Sequence, residues 1–187
     1  QIIQLLGTAS ENLRETIEHL NEVVVINTSV KENLNDLNLR DFVENAVENT
    51  SALAIEANVK VDFDIDKNIQ IQGIPAYVDS ILLNFITNGI KYRSLERKSF
   101  IKLFTEKDAA TGNIILNIED NGLGIDLQRF GHKLFEMYNT FHRHKDSRGI
   151  GLFITKSQIE AIGAKVEVES EVNQGTIFKI VFKNEEN

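Results

Sequence analysis

Asn84-Phe85-Ile86-Thr87-Asn88-Gly89-Ile90-Lys91-Tyr92 is the stretch on which the reading of this chain turns. Val78, Ile81, Leu82, Phe85, Ile86 and Ile90 recur at helical spacing, so the spacing predicts an amphipathic helix, which Pro75 can open. Asn84, Asn88, Lys91 and Tyr92 fall at i, i+4, i+7 and i+8 and share the adjacent face. Two carboxamides, an ammonium group and a phenol ring in line suit a metal–triphosphate. The amide oxygens match a hard cation such as Mg²⁺, the lysine is a point charge for phosphate, and the ring can lie against a base. Taken alone, the same residues also read as a polar surface stripe.

Two glycine-rich segments sharpen the reading. Ile114, Leu116 and Ile118 alternate as a strand that runs into Asp120-Asn121-Gly122-Leu123-Gly124. Arg148-Gly149-Ile150-Gly151-Leu152 opens a helix expected over 149–162 that stops at Gly163. A helix N-terminus preceded by glycine offers backbone N–H groups to a phosphate without a β-carbon in the way.

The rest of the chain frames these elements. Ile3, Leu6, Leu13, Ile17, Leu20 and Val24 form a coiled-coil-like seam, so 1–28 reads as one helix. The seam either packs on its own domain or, in the favoured reading, pairs with other helices in a dimer or bundle. Residues 29–36 read as a linker and 37–184 as the main domain. Leu37 and Leu39 suggest a short strand, and Asp41 a cap for a helix carrying Phe42, Val43, Ala46, Val47, Leu53 and Ala54. Val59, Val61, Phe63 and Ile65 alternate as a strand, with Ile69 and Ile71 as its expected hairpin partner. A strand is expected around Ile101–Phe104, a mobile loop over 127–148, and a closing hairpin across Asn173-Gln174-Gly175. The fold class is therefore α+β: a mixed, largely antiparallel sheet covered by about three helices and preceded by an N-terminal helix.

Composition removes whole classes of function. The chain has 187 residues, 42% of them hydrophobic, and a net charge of −8. That charge disfavours sequence-independent nucleic-acid binding. The absence of cysteine excludes a disulfide scaffold, a thiolate nucleophile and a zinc finger. No apolar run reaches the ~18 residues of a membrane span, so no membrane contact is expected. Gln1 begins inside a periodic pattern without an initiator Met, which reads as a piece of a longer protein. Asp62-x-Asp64-x-Asp66 lacks the glycine and glutamate of a calcium loop and reads as the solvated face of a strand. His142-x-His144 has no carboxylate or Cys complement for a metal.

The three elements in this order resemble the GHKL ATP-binding fold, and specifically the catalytic domain of sensor histidine kinases. Asn84–Tyr92 is similar to the N box, Asp120–Ile125 to the G1 box, Leu134-Phe135-Glu136-Met137-Tyr138 to the F box, and Gly149-Ile150-Gly151-Leu152 to the G2 box. Gly175-Thr176 resembles the G3 position, and the resemblance covers about residues 36–184. It implies a two-layer α/β sandwich of the Bergerat type that binds ATP and Mg²⁺. It implies that Asp120 accepts the adenine amino group, Asn88 holds Mg²⁺ with Asn84 beside it, Lys91 reaches phosphate and Tyr92 borders the adenine. Gly122 and Gly124 would let the chain approach the base and ribose, Gly149, Gly151 and Leu152 would offer N–H groups to the phosphates, and Ile125, Ile150 and Thr176 would also touch the nucleotide. Asn84 and Lys91 would be the catalytic pair, and the segment between Phe135 and Arg148 a lid over the nucleotide.

Two departures from the family pattern stand out. Ser147 replaces the usual first G2 glycine, and Thr140 stands where a basic residue is common, so Arg143 or Arg148 would supply the lid's charge. Hydrolytic members of the superfamily carry a Glu four residues before the Mg²⁺-binding Asn, as general base for water. Asn84 stands there, and an amide cannot take a proton at neutral pH. Transfer to a neutral imidazole fits better. His19, followed by Leu20, lacks the neighbours of an acceptor histidine, so the acceptor is expected outside the chain, on a helix of the same kinase dimer, with a response-regulator receiver domain downstream and a cytoplasmic location. The alternatives are a hydrolysing ATPase and a degenerate interaction module.

Overall fold

The computed structural model describes residues 34–136 and 150–183. The chain runs β1 (Asn35–Asn38), α1 (Leu39–Glu56), β2 (Val59–Asp64), β3 (Gln70–Gly73), α2 (Pro75–Lys91), β4 (Ser99–Lys107), β5 (Ile114–Asp120), the short α3 (Leu127–Phe130) with a 3-10 turn at Gly131–Lys133, α4 (Gly151–Ala161), β6 (Lys165–Glu171) and β7 (Gly175–Phe182). The N-terminal helix expected over 1–28 lies outside the described residues.

Five strands form the main sheet in the order β2-β4-β5-β7-β6. Only β2 and β4 are parallel; the other pairs are antiparallel. The parallel pair needs a long crossover, and β3 with α2 supplies it. Strand alternation sends Leu103, Ile118 and Phe178 from paired positions to the helix side, where they join Ile81, Leu82, Phe85 and Ile86 of α2 in the core. Phe85 and Phe178 meet with ring centroids 4.6 Å apart. This is the α+β, two-layer arrangement expected, with α1, α2 and α4 as the helical layer.

Five local expectations are corrected. β3 is not the hairpin partner of β2: it pairs antiparallel with β1, Leu37 opposite Ile71. β1 begins at Asn35, inside the stretch read as linker, and Leu39 is already helical. The cap of α1 is Asn38, whose side chain accepts from the Arg40 and Asp41 amides; Asp41 lies in the first turn instead. On α1, Leu53 is half exposed while Thr50 is buried, its hydroxyl satisfied by the Ala46 carbonyl at 2.8 Å. The stretch 127–133, expected as loop, holds α3 and the 3-10 turn. Asp126 caps α3 through the Arg129 amide, and an element of four residues is too short to show a period. The end of α4 follows expectation. Gly163 is left-handed, with its N–H on Glu160 O and that of Ala164 on Ile159 O, a Schellman ending.

Candidate functional site

Asn84 and Asn88 lie one turn apart on α2, both half-buried. Asn88 Nδ2 donates to Asn84 Oδ1 at 3.0 Å, and Asn84 Nδ2 donates to Thr155 Oγ1 of α4. The start of α4 reaches the same amide: a β-carbon at residue 151 would stand 3.1 Å from Asn84 Oδ1. The helix predicted from one glycine-rich segment is thus packed directly on the polar face predicted from the other helix.

Lys91 ends α2 and Tyr92 caps it, with Lys91 Nζ 5.6 Å from the centre of the Tyr92 ring. The Tyr92 carbonyl accepts the Leu123 N–H at 3.0 Å, which fastens the turn after β5 to the end of α2. Asp120 closes β5 under α2: a β-carbon at residue 89 would stand 3.6 Å from the Asp120 Cβ. Its carboxylate accepts the Gly122 N–H at 2.7 Å. Burial pushes its pKa up to about 6, against the pull of the Gly122 and Thr176 amides and with a smaller push from Glu119. A carboxylate held at this poise beside two backbone donors suits a polar ligand atom better than a surface ion pair does.

Gly124 (φ +66) continues the turn so close to β6 that a β-carbon there would overlap the Glu171 carbonyl at 1.9 Å. The Ile125 N–H is held by Ser170 Oγ at 2.8 Å, and the same hydroxyl meets the Gly175 carbonyl and Thr176 Oγ1. Ile150 and Thr176 are buried and Leu152 is half-buried. Leu134 of the expected F box is buried, and Phe135 packs on the core with Lys156 Nζ 5.7 Å from its ring centre. Arg143, Arg148 and Gly149, with the lid positions Thr140 and Ser147, lie outside the described residues, as do His19, His142 and His144.

A hollow of about 380 Å³ opens beside this constellation at the ends of β5, β6 and β7, lined by Glu119, Asp120, Glu169, Ser170, Glu171 and Thr176, among others. Its carboxylates would repel a phosphate chain, and neither Asn84 nor Asn88 lines it. The convergence of Asn84, Asn88, Gly151 and Asp120 is therefore the candidate site. Among the described residues no group of three His, Cys, Asp or Glu side chains could hold a metal. A cation here would depend on amide oxygen and on oxygens the ligand brings. Asn88 spends its nitrogen on Asn84, so its oxygen fits that need.

Sequence reasoning missed two residues of this site. Thr155 and Ser170 are hydroxyls whose partners Asn84 and Ile125 lie 71 and 45 residues away in sequence, while Asn121, already part of the glycine-rich turn, clasps a neighbouring strand. Thr155 alone left a trace, a polar residue on the buried face of α4.

The family model for histidine kinase-, DNA gyrase B- and HSP90-like ATPases matches residues 73–186. The chain is 25% identical over 182 residues to the circadian input-output histidine kinase CikA of Synechocystis, covering 91% of this chain and 24% of that protein. It is 25% identical over 186 residues to the signal transduction histidine-protein kinase ArlS of Staphylococcus aureus, covering 92% of this chain and 40% of that protein. It thus spans well under half the length of these relatives. The solved structure of the Acinetobacter baumannii histidine kinase AdeS shares the fold, with a TM-score of 0.71 at 20% identity over 97% of this chain and 83% of that one. No described helix is long and apolar enough to cross a membrane.

Proposed function

Because this chain belongs to the family of histidine kinase-, DNA gyrase B- and HSP90-like ATPases, we propose that it is the ATP-binding catalytic domain of a sensor histidine kinase. It would donate the γ-phosphoryl group of ATP to a histidine imidazole outside this chain. One observation carries the choice of kinase over hydrolase. Asn84, in the position of a water-activating base, is an amide, and both its polar atoms are committed, the oxygen to Asn88 and the nitrogen to Thr155. An amide cannot take a proton from water at neutral pH, and these two bonds hold it in place against α4.

The remaining roles follow from position. Asp120, with Thr176 beside it, receives the adenine amino group, and Tyr92, Gly122, Gly124 and Ile125 border the base and ribose. Lys91 and the backbone N–H groups around Gly149, Ile150, Gly151 and Leu152 meet the phosphates, with Arg143 or Arg148 joining from the lid. Asn88 would hold Mg²⁺, which would supply positive charge against the phosphates when bound. The chain itself contributes positioning and electrostatic stabilisation of the phosphoryl group. Residues 1–28 are proposed as part of the dimerisation and phosphotransfer hairpin, joined by 29–36 to the domain of 37–184. A homodimer, a receiver-domain partner and a cytoplasmic location go with that reading.

The test starts with a calorimetric ATP titration, with and without Mg²⁺. It continues with γ-labelled ATP, given to the chain alone and to the chain mixed with a separate helical hairpin carrying the acceptor histidine. Binding, little labelling or hydrolysis alone, and acid-labile label on the added hairpin are expected. Rapid phosphate release by the chain alone would favour the ATPase reading, and no nucleotide binding would favour an interaction module.

A further inference from the structure

We infer that Ser170 is a positioning residue that holds the Thr176 hydroxyl as an acceptor beside Asp120, so that the site rejects a purine carrying a carbonyl where adenine carries its amino group. The inference rests on the reading of Asp120 as the residue that receives that amino group.

Ser170, Thr176 and Asp120 stand in one row across β6, β7 and β5, Ser170 paired with Thr176 and Thr176 with Asp120. Strand alternation puts all three on the helix side, two residues from Val168, Phe178 and Ile118, which pack in or on the core. The Ser170 hydroxyl makes three contacts. It accepts the Ile125 N–H at 2.8 Å, and its oxygen lies 2.7 Å from the Gly175 carbonyl oxygen and 2.9 Å from Thr176 Oγ1. Each of these oxygen–oxygen contacts needs a proton between its two atoms, because lone pairs facing each other at that distance repel. The carbonyl has no proton to give. The single Ser170 proton therefore goes to Gly175, and the contact with Thr176 must be closed by the Thr176 proton. The serine then gives one bond and accepts two, which completes its capacity.

Thr176 Oγ1 is thereby left with lone pairs alone. The Gly122 and Thr176 N–H groups are engaged as well, on the Asp120 carboxylate. None of these groups has a donor left for a ligand. An amino group meets acceptors here, whereas a carbonyl meets other lone pairs and goes unpaired.

Calorimetry compares ATP with inosine triphosphate, which has a carbonyl in place of the amino group. The proteins are the unaltered chain, Ser170→Ala, Thr176→Val and the double variant, well above about pH 6, where Asp120 is ionised. The unaltered chain should prefer ATP. In Ser170→Ala the Thr176 proton can turn toward a ligand carbonyl, and the preference should fall about tenfold, the scale of one hydrogen bond. Thr176→Val removes the acceptor and should lower the preference to a similar degree. Adding Ser170→Ala to it should change the preference by no more than about twofold, because the serine acts through the threonine. Equal losses of both affinities in Ser170→Ala would mark Ser170 as merely structural and overturn the inference, as would a second full drop in the double variant. If Ser170→Ala costs too much stability for titration, Thr176→Val decides, since it leaves the Ile125 and Gly175 bonds of the serine in place; an unchanged preference there overturns the inference. Equal affinity of the unaltered chain for the two nucleotides, or none for either, would overturn the reading of Asp120 itself, and this inference with it.

Discussion

Gly175 on β7 meets the backbone of Asp120 so closely that a β-carbon at residue 175 would lie 1.9 Å from the Asp120 carbonyl oxygen and 2.8 Å from Asn121 Cα. The residue also sits at φ +133, a conformation that side chains rarely adopt. The glycine therefore fixes where Asp120 stands, the residue proposed to receive the adenine amino group. Gly175→Ala should cost about 3 kcal/mol through overlap and strain, and lower the thermal midpoint by roughly 6–12 °C. ATP affinity should fall with it, because Asp120 must shift. Gly163 is the control: it is left-handed, but nothing lies within 4 Å of an added β-carbon. Gly163→Ala should cost about 1 kcal/mol and leave ATP affinity unchanged. Equal effects of the two variants in a thermal melt would refute the close-contact explanation.

Asp120 ties stability and binding to pH in opposite directions. Burial raises its folded pKa from the ordinary 3.8 to about 6, so the folded state prefers the neutral acid. The stability from this preference is fully present below about pH 3.8 and is lost as pH rises through about 6. Asp120→Asn removes the ionisation, so the variant should be more stable than the unaltered chain above pH 6. The difference should vanish near pH 4. In the proposed reading, ATP binding needs the ionised Asp120 carboxylate as acceptor. Affinity of the unaltered chain should rise between pH 5 and 7 in a curve centred near 6. Asp120→Asn should show a flat profile there and bind at least about tenfold more weakly at pH 7, about 1.4 kcal/mol. Calorimetric titrations across that range check this, and superimposable profiles would remove Asp120 from base recognition.

These two residues also show what the sequence reveals and what it hides. Asp120 was legible because a clean alternation, Ile114-Leu116-Ile118, delivers it to the helix side of a strand end, beside glycines that only a tight turn needs. The face of α2 was legible because helical spacing alone aligns Asn84 with Asn88. Pairing between distant strands was not. Ile69 and Ile71 have the right pattern to pair with β2, but short β1 competes for them, and nothing local to β3 marks that choice. The Asn38 cap was hidden by Asp41, a stronger-looking cap that lies three residues inside. The Asn84–Thr155 bond joins residues 71 apart in sequence, and no spacing rule reaches that far.

Asn117 is a polar residue in the wrong place for stability. It lies on β5 between Phe104 of β4 and Lys179 of β7, and is 2% exposed. Among the described residues its Nδ2 has no hydrogen-bond partner. A buried donor left unpaired costs about 1–3 kcal/mol, and asparagine is a poor strand former. Asn117→Val should therefore stabilise the domain by about 1 kcal/mol, raising the thermal midpoint by about 2–4 °C. Nucleotide affinity should not change, because Asn117 alternates to the sheet face opposite Asp120. A lower midpoint in a calorimetric scan would mean that the amide is satisfied and structural.

Asn121 does with a side chain what the β4–β5 ladder can no longer do with its backbone. The paired register ends at Ile101 opposite Asp120. Beyond it the chain turns away toward Gly122, and the Phe100 N–H would be left without a partner. Asn121 Oδ1 accepts that N–H at 2.9 Å, while its Nδ2 donates to the Lys98 carbonyl at 2.9 Å. The clasp holds the segment after Tyr92 against the same turn that Leu123 fastens to the Tyr92 carbonyl. Asn121→Ala removes both bonds and should cost about 2 kcal/mol, at about 1 kcal/mol each. The loss should be local before it is global. In native-state hydrogen exchange the Phe100 amide should open far more readily than the Leu103 amide in mid-strand. ATP affinity should weaken less than in Asp120→Asn, because the ligand-facing groups remain and only their frame loosens. Unchanged protection at Phe100 in Asn121→Ala would show that the strand end is held by other contacts and that Asn121 is dispensable to the site.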